Sequence, residues 1–244
     1  MARAVGDLVA ELEAEAEASL ELRASYNVAP TTDVPIVLER LIDGAMHRQV
    51  HVAKWGLVPS WAKDPSVSVR SFNARSETVA DKPTFRAALK ARRCAVPVEG
   101  YYEWKKLADG KTKQPYFVHG TDGTLTTFAG LYEWWKDPAK EDGSEDQWLL
   151  SCTILTMAAP VAGTAGQPEV LEELAGLHDR LPVPMNQDTL AAWLDPAPGD
   201  ARQLLDLVLA RAFDVAAGWQ LDPVGAAVGN VRNDSPELIE PVTL

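Results

Sequence analysis

Leu125-Thr126-Thr127-Phe128-Ala129-Gly130-Leu131-Tyr132 and Trp148-Leu149-Leu150-Ser151-Cys152-Thr153-Ile154-Leu155, separated by a charged tract from Lys136 to Gln147, decide how this chain is built. Both runs are rich in β-branched and aromatic residues, so each predicts a strand. The tract between them has no apolar periodicity and reads as a surface excursion, as does the small-residue tract Ala158 to Gly166. Working outward, Val34 to Leu38, the stretch near Val50 to Leu57, Cys94 to Val98 and Pro115 to Val118 carry the same strand signature. Helical spacing occurs at the edges. Asp7 is placed to cap a helix through about residue 21, with Leu8 and Leu12 on one face and glutamates toward water. Asp81 and Pro83 open a second helix in which Phe85, Ala88 and Leu89 share a face. Leu190, Trp193 and Leu194, then Ala201, Leu204, Leu205 and Val208, repeat that spacing. Strands and helices do not alternate regularly, which argues against a doubly wound parallel sheet. The expectation is an α+β fold in which a mixed sheet or partly closed barrel is flanked by helices.

The 244 residues, 46% of them hydrophobic, suffice for one large domain spanning 1–244, and no internal repeat is visible. A net charge of -12 makes the average surface repel phosphate, so any nucleic-acid contact needs a local basic patch. Cys94 and Cys152 have neither metal-ligand nor secreted-framework spacing, and no apolar run approaches the ~20 residues that span a bilayer. A cytoplasmic location is expected, since Glu11, Glu13, Glu15 and Glu17 stand where a signal peptide would need apolar residues.

Three segments place polar residues in apolar or aromatic surroundings: Ser71-Phe72-Asn73-Ala74-Arg75-Ser76-Glu77, Gly100-Tyr101-Tyr102-Glu103-Trp104 and Leu177-His178-Asp179-Arg180-Leu181-Pro182. Glu103 among three aromatics would be partly desolvated, which suits a carboxylate to proton transfer; the alternative is a rim carboxylate on an edge strand. His178, on a turn constrained by Pro182, is the best acid/base candidate, and a structural histidine bonded to a carbonyl is the alternative. Asn73 alone reads as a turn residue as readily as a substrate-binding amide. His47, His51 and His119 lack partners at ligand spacing, so no metal site is expected. Lys82, Arg86, Lys90 and Arg93 form a basic stripe along the second helix that Arg70, Arg75 and Arg180 can join beside Trp61; a solvated helix face is the alternative. Trp55 through Trp61 is either core or a stacking wedge.

Tyr26-Asn27-Val28-Ala29-Pro30-Thr31, Trp55 through Trp61, Asn73 through Glu77, Arg93 through Pro97, Gly100 through Trp104, Phe128 through Glu133, His178 through Pro182 and the closing Asn230-Val231-Arg232-Asn233-Asp234 together resemble the SRAP family, the SOS response-associated peptidases or abasic-site processing proteins. The match spreads in order over nearly the whole chain. The resemblance implies a barrel-like α+β core, no metal or other cofactor, and a protein, expected to be a monomer, that binds single-stranded DNA at abasic sites in the DNA-damage response. It implies that an N-terminal cysteine closes a thiazolidine on the opened sugar and that peptidase activity is confined to the protein's own N-terminus. It gives Asn73 the hydrogen bonds to the N-terminal residue or sugar, Glu103 the proton transfers at the amine, and His178 the opening and closing of the sugar ring. Arg75 and Arg180 would meet flanking phosphates, with Arg86 on the basic stripe. Trp55, Pro59 and Trp61 would shape the wall facing DNA.

The sequence departs from the family at its start, where Met1-Ala2-Arg3-Ala4-Val5 stands in place of Met-Cys-Gly-Arg. Two explanations are a start placed several codons late, which is the expectation, and loss of the nucleophile. Ala2 offers an amine without a thiol and supports at most a reversible imine. The alternative function is a noncovalent binder of single-stranded DNA or junctions. A third reading, a general cysteine protease pairing Cys152 with His178, lacks an oxyanion-hole or nucleophile-elbow context around Cys152.

Overall fold

The computed structural model describes residues 3–121, 123–144, 146–197 and 199–244. In chain order the regular elements are α1 (Val5–Glu11), β1 (Asp33–Ile42), β2 (Ala45–Trp55), β3 (Asn73–Arg75), α2 (Arg86–Ala91), β4 (Arg93–Val98), β5 (Gly100–Lys106), β6 (Lys113–Gly120), β7 (Thr126–Lys136), β8 (Trp148–Ala158), α3 (Glu169–Leu177), β9 (Arg180–Pro182), β10 (Pro184–Met185), α4 (Gln187–Leu194), α5 (Ala201–Ala216) and β11 (Trp219–Pro223). β1 and β2 form a hairpin whose turn, Asp43-Gly44, has positive φ at both residues (50° and 82°) and so matches the twist of the strands.

The fold is α+β. One large mixed sheet runs β10-β7-β4-β1-β2-β8-β3, with β9 added on β8. Because β7 also pairs with β8, the strands β7, β4, β1, β2 and β8 close on themselves. Two seams of that ring are short: β1 meets β4 at the single pair Val37–Ala95, and β2 meets β8 in parallel at Lys54–Ser151 and Trp55–Cys152. The sheet is therefore ring-like and not a complete barrel. A second sheet, β11-β6-β5, is antiparallel throughout.

Two apolar layers form because strand side chains alternate between faces. One face carries Val37, Val50, Ala74, Ala95, Leu131 and Leu155 and packs against the buried residues of α2, α4 and α5. The opposite face carries Ile36, Ala53, Cys94, Phe128, Cys152 and Ile154 and packs against Leu171, Leu174 and Leu177 of α3 and Tyr101 and Trp219 of the second sheet. Both cysteines are buried, and burial raises the pKa of each thiol, so Cys152 is no nucleophile and the protease reading fails. Among the described residues no helix is long and apolar enough to cross a membrane.

Three further expectations need correction. The first helix ends at Glu11, not near residue 21; Glu13 takes a positive φ of 49°, and Glu15 bridges to Gln49 beside β2. Asp7 sits in the first turn of that helix and does not cap it, although Leu8 and Leu12 are buried as expected. Residues 81–85 make turns leading into α2, which starts at Arg86.

Candidate nucleic-acid interface

Glu103 and His178 come from different layers and meet at the edge of α3. On β5, Tyr101 and Glu103 share the face toward α3, where Tyr101 makes edge-on contacts 5.8 Å from both Phe128 and Trp219. Tyr102 and Trp104 point the other way, onto Val224, Val228 and Leu238. Two of the three aromatics around Glu103 in the sequence, Tyr102 and Trp104, therefore do not pack around its carboxylate, because the period of a strand turns them to the other face. Glu103 instead keeps a half-open position, 24% exposed, with Oε1 accepting from the backbone N–H of Trp104 at 3.0 Å.

His178 ends α3 in an extended conformation (φ -155°, ψ 157°). The buried stripe Leu171, Leu174 and Leu177 seats the helix on the sheet and fixes where the histidine emerges. Its Nδ1 lies 3.9 Å from Glu103 Oε2, 3.1 Å from Asp179 Oδ1 and 3.0 Å from the backbone N–H of Arg180. The first is an ion-pair separation beyond hydrogen-bond reach.

Asn73 opens β3, whose three residues lie parallel to β8 in the register Asn73–Ile154, Ala74–Leu155 and Arg75–Thr156. Ala74 is buried in the layer under α4 and α5, so the exposed Asn73 and Arg75 project to the other face, the one occupied by Ile154, α3 and Glu103. Asn73, Glu103 and His178 thus share one side of the molecule, and only Glu103 and His178 are in direct reach of each other.

The cations divide. Arg75, Arg86, Lys82, Lys90 and Arg70 are exposed. Arg93 leaves the expected stripe: it is buried, its Nε donates to the Trp193 carbonyl at 2.8 Å, and its other nitrogens donate to the carbonyls of Leu89, Lys90 and Asp195. A guanidinium there closes the C-terminal ends of α2 and α4 together, where helix carbonyls lack partners. Arg180 is also engaged, through a two-pronged bond to Glu77 at 2.7 and 3.0 Å. That bond holds the Glu77 carboxyl below its usual pKa.

The segment after β2 starts beside Asn73 and runs toward Trp135, against which Val58 and Ala62 pack. Gly56, with φ of 150°, lets the chain pass so close to Ser68 that a Cβ would stand 2.6 Å from its carbonyl oxygen. Trp55, half-buried, donates from Nε1 to the Phe72 carbonyl at 2.8 Å, next to Asn73. Pro59 is buried, whereas Trp61 is 64% exposed. Sequence reasoning missed Glu77, whose pairing is set across a sheet, and the cluster in which His119 Nε2 meets Asp222 Oδ2 at 2.9 Å. A cleft of about 360 Å³ between α4, α5 and the ends of β6 and β7 includes none of the three site residues. Among the described residues no group of three or more histidines, cysteines or carboxylates stands ready for a metal ion.

Tyr26-Asn27 and the closing Asn230 to Asp234 have a structural role. The Asn27 amide donates to the carbonyls of Val228, Asn230 and Asn233, and Asp234 accepts from the Tyr26 backbone N–H. The two segments clasp each other over the second sheet.

The family model described as SOS response associated peptidase (SRAP) matches residues 1–231. The chain is 37% identical over 220 residues to the abasic site processing protein YoqW of Bacillus subtilis, covering 90% of this chain and 87% of that protein. It is 31% identical over 249 residues to the abasic site processing protein HMCES of Gallus gallus, covering 91% of this chain and 67% of that protein. A crystal structure of a protein from Bacteroides thetaiotaomicron superposes with a TM-score of 0.73 at 21% identity, covering 100% of this chain and 98% of that one, and so shares the fold.

Proposed function

The chain belongs to the SOS response-associated peptidase family, and from that premise we propose that it processes abasic sites in single-stranded DNA. The observation that carries the reading is the pairing of Glu103 with His178 on the face to which Asn73 projects, in a chain whose relatives are named abasic site processing proteins.

An abasic sugar, once opened, exposes an aldehyde. An N-terminal amine adds to that aldehyde and water leaves, giving an imine; a cysteine thiol on the same residue then adds to the imine carbon while its proton passes to nitrogen, closing a thiazolidine. Glu103 is suited to take and return the amine protons, being half-exposed and held by a single backbone N–H. His178 assists the sugar oxygen during ring opening and reversal. Asn73, exposed and among the described residues without a hydrogen-bond partner, is free to bind the sugar or the N-terminal residue. Arg75, next to Asn73 on β3, supplies positive charge on that side of a chain of net charge -12, whereas Arg86 is exposed on α2, in the layer against the other face of the sheet; Trp61 offers a ring for base stacking. The chemistry makes self-directed peptidase or lyase activity part of the same reading, in a monomer acting in the cytoplasm.

The experiment compares the chain as it begins here with the same chain preceded by Met-Cys-Gly-Arg, each mixed with single-stranded DNA holding one abasic site. The cysteine-bearing form is expected to give a band that survives denaturing electrophoresis, and the form exposing Ala2 at most an imine trapped by borohydride. No abasic-dependent band from either form would reject the reading.

A further inference from the structure

His178 Nδ1 faces one donor and three acceptors, and it can serve only one kind. The donor is the backbone N–H of Arg180 at 3.0 Å; the acceptors are Asp179 Oδ1 at 3.1 Å, the Arg180 carbonyl at 3.3 Å and Glu103 Oε2 at 3.9 Å. A neutral imidazole carries one proton, so Nδ1 either donates or accepts. The Arg180 N–H has no strand partner to turn to. Ala159 N–H donates to the Asp179 carbonyl, which leaves Ala158–Arg180 as a pair without mutual hydrogen bonds and aims the Arg180 N–H away from β8. The acceptors are less demanding: the Asp179 side chain is 86% exposed and open to solvent, and Glu103 lies beyond hydrogen-bond reach.

What makes the donor dominate is that Arg180 is held still. Its guanidinium donates in parallel to both oxygens of Glu77, at 2.7 and 3.0 Å, and also to the Thr156 carbonyl at 2.6 Å. Such a planar fork fixes orientation as well as position. Glu77 lies two residues past β3, and Ser76 N–H donates to that same Thr156 carbonyl, so the fork ties the end of β3 to β9 across β8. We propose that Glu77 is a positioning residue: by clamping Arg180 it holds the Arg180 N–H on Nδ1 and confines the proton of neutral His178 to Nε2. His178 then meets substrate as an Nε2–H hydrogen-bond donor to the sugar oxygen, and base work falls to Glu103. The tautomer stands on geometry alone; its use on a sugar rests on the function proposed above.

The test reads the ring directly. Long-range 1H–15N spectra of the uniformly 15N-labelled protein without DNA, taken above neutral pH and assigned with His178→Ala, distinguish the tautomers. With one backbone hydrogen bond at stake, the Nε2–H form is expected in about tenfold excess, falling to within about twofold of parity in Glu77→Gln. Glu77→Asp should restore the excess, and Arg180→Lys, which keeps the backbone N–H but removes the fork, should lose it. A wild-type ring protonated on Nδ1, or an unchanged tautomer ratio in Glu77→Gln or, should that variant not fold, in Arg180→Lys, overturns the inference. Failure of the cysteine-bearing protein to react with abasic DNA would instead strike the functional reading, since the tautomer is measured without it.

Discussion

At the scale of single residues, the roles proposed for Glu103 and His178 separate from those proposed for the cations. Glu103→Gln and His178→Ala remove proton-handling groups while leaving the exposed arginines in place. DNA affinity is therefore expected to stay within about twofold and the rate of adduct formation to fall about 100-fold or more, measured by binding titration and gel-resolved time courses. Equal losses of affinity and rate would make both residues simple contacts. His51 makes a different statement. It is half-buried on β2 with Nε2 lacking a partner among the described residues, and burial, reinforced by Arg40, holds its pKa below 6.5. The unfolded chain then binds the proton more readily, so the contribution of His51 is complete above about pH 6.5 and is lost as pH falls through the lower folded value. Thermal melts between pH 7.5 and 5 should show a shallower decline for His51→Gln than for the wild type, and parallel declines would refute this. Glu103 and His178 were visible in the sequence as polar residues in odd company. The company was misread for Glu103, because Tyr102 and Trp104 lie on the opposite face of β5. The engagement of Arg93 with the end of α4 and of Arg180 with Glu77 was not visible, since those partners lie about 100 residues away in sequence.

At the scale of elements, apolar spacing located α4 and α5 and the cores of six strands, because burial on one side writes a period into the sequence. It did not reveal α3, or the pairing of β5, β6 and β11 into a second sheet. Those depend on which strand lies beside which. The Asp43-Gly44 turn is a hairpin signal that the sequence did carry, between Ile42 and Ala45. Two contacts between elements lend themselves to measurement. Trp193, fully buried in α4, donates from Nε1 to the carbonyls of Cys94 at 3.0 Å and Gly130 at 3.1 Å, joining the helix to β4 and β7. Trp193→Phe keeps most of the apolar bulk but leaves those carbonyls without that donor, and should lower stability by about 1–3 kcal/mol in chemical denaturation. Asn27→Ala opens the clasp between the Tyr26 segment and residues 228–233 and is expected to lose about 2 kcal/mol. A loss below about 0.5 kcal/mol in either would show that the contact is replaced by water.

At the scale of the whole molecule, the proposed function requires a chain of net charge -12 to hold a polyanion through a local arrangement of cations. Arg75 on β3 and Arg86 on α2 are exposed, on opposite faces of the sheet, while Arg93 and Arg180 are engaged within the protein. Arg75→Ala should accordingly weaken binding alike for all sequences and reduce the slope of log affinity against log salt by about 0.7 for a single strand, with Arg86→Ala, on the far layer, having the smaller effect. On the proposed function, the ring-like sheet and the second sheet matter because they bring three residues from β3, β5 and the end of α3 to one side. The most direct test of that account is a single electrophoretic comparison. The chain preceded by Met-Cys-Gly-Arg is incubated with two single-stranded oligonucleotides identical except for one abasic site, then run under denaturing conditions. A shifted band with the abasic strand alone, strongly reduced in Glu103→Gln and His178→Ala, is the expected result. A band with both strands, or with neither, would contradict it.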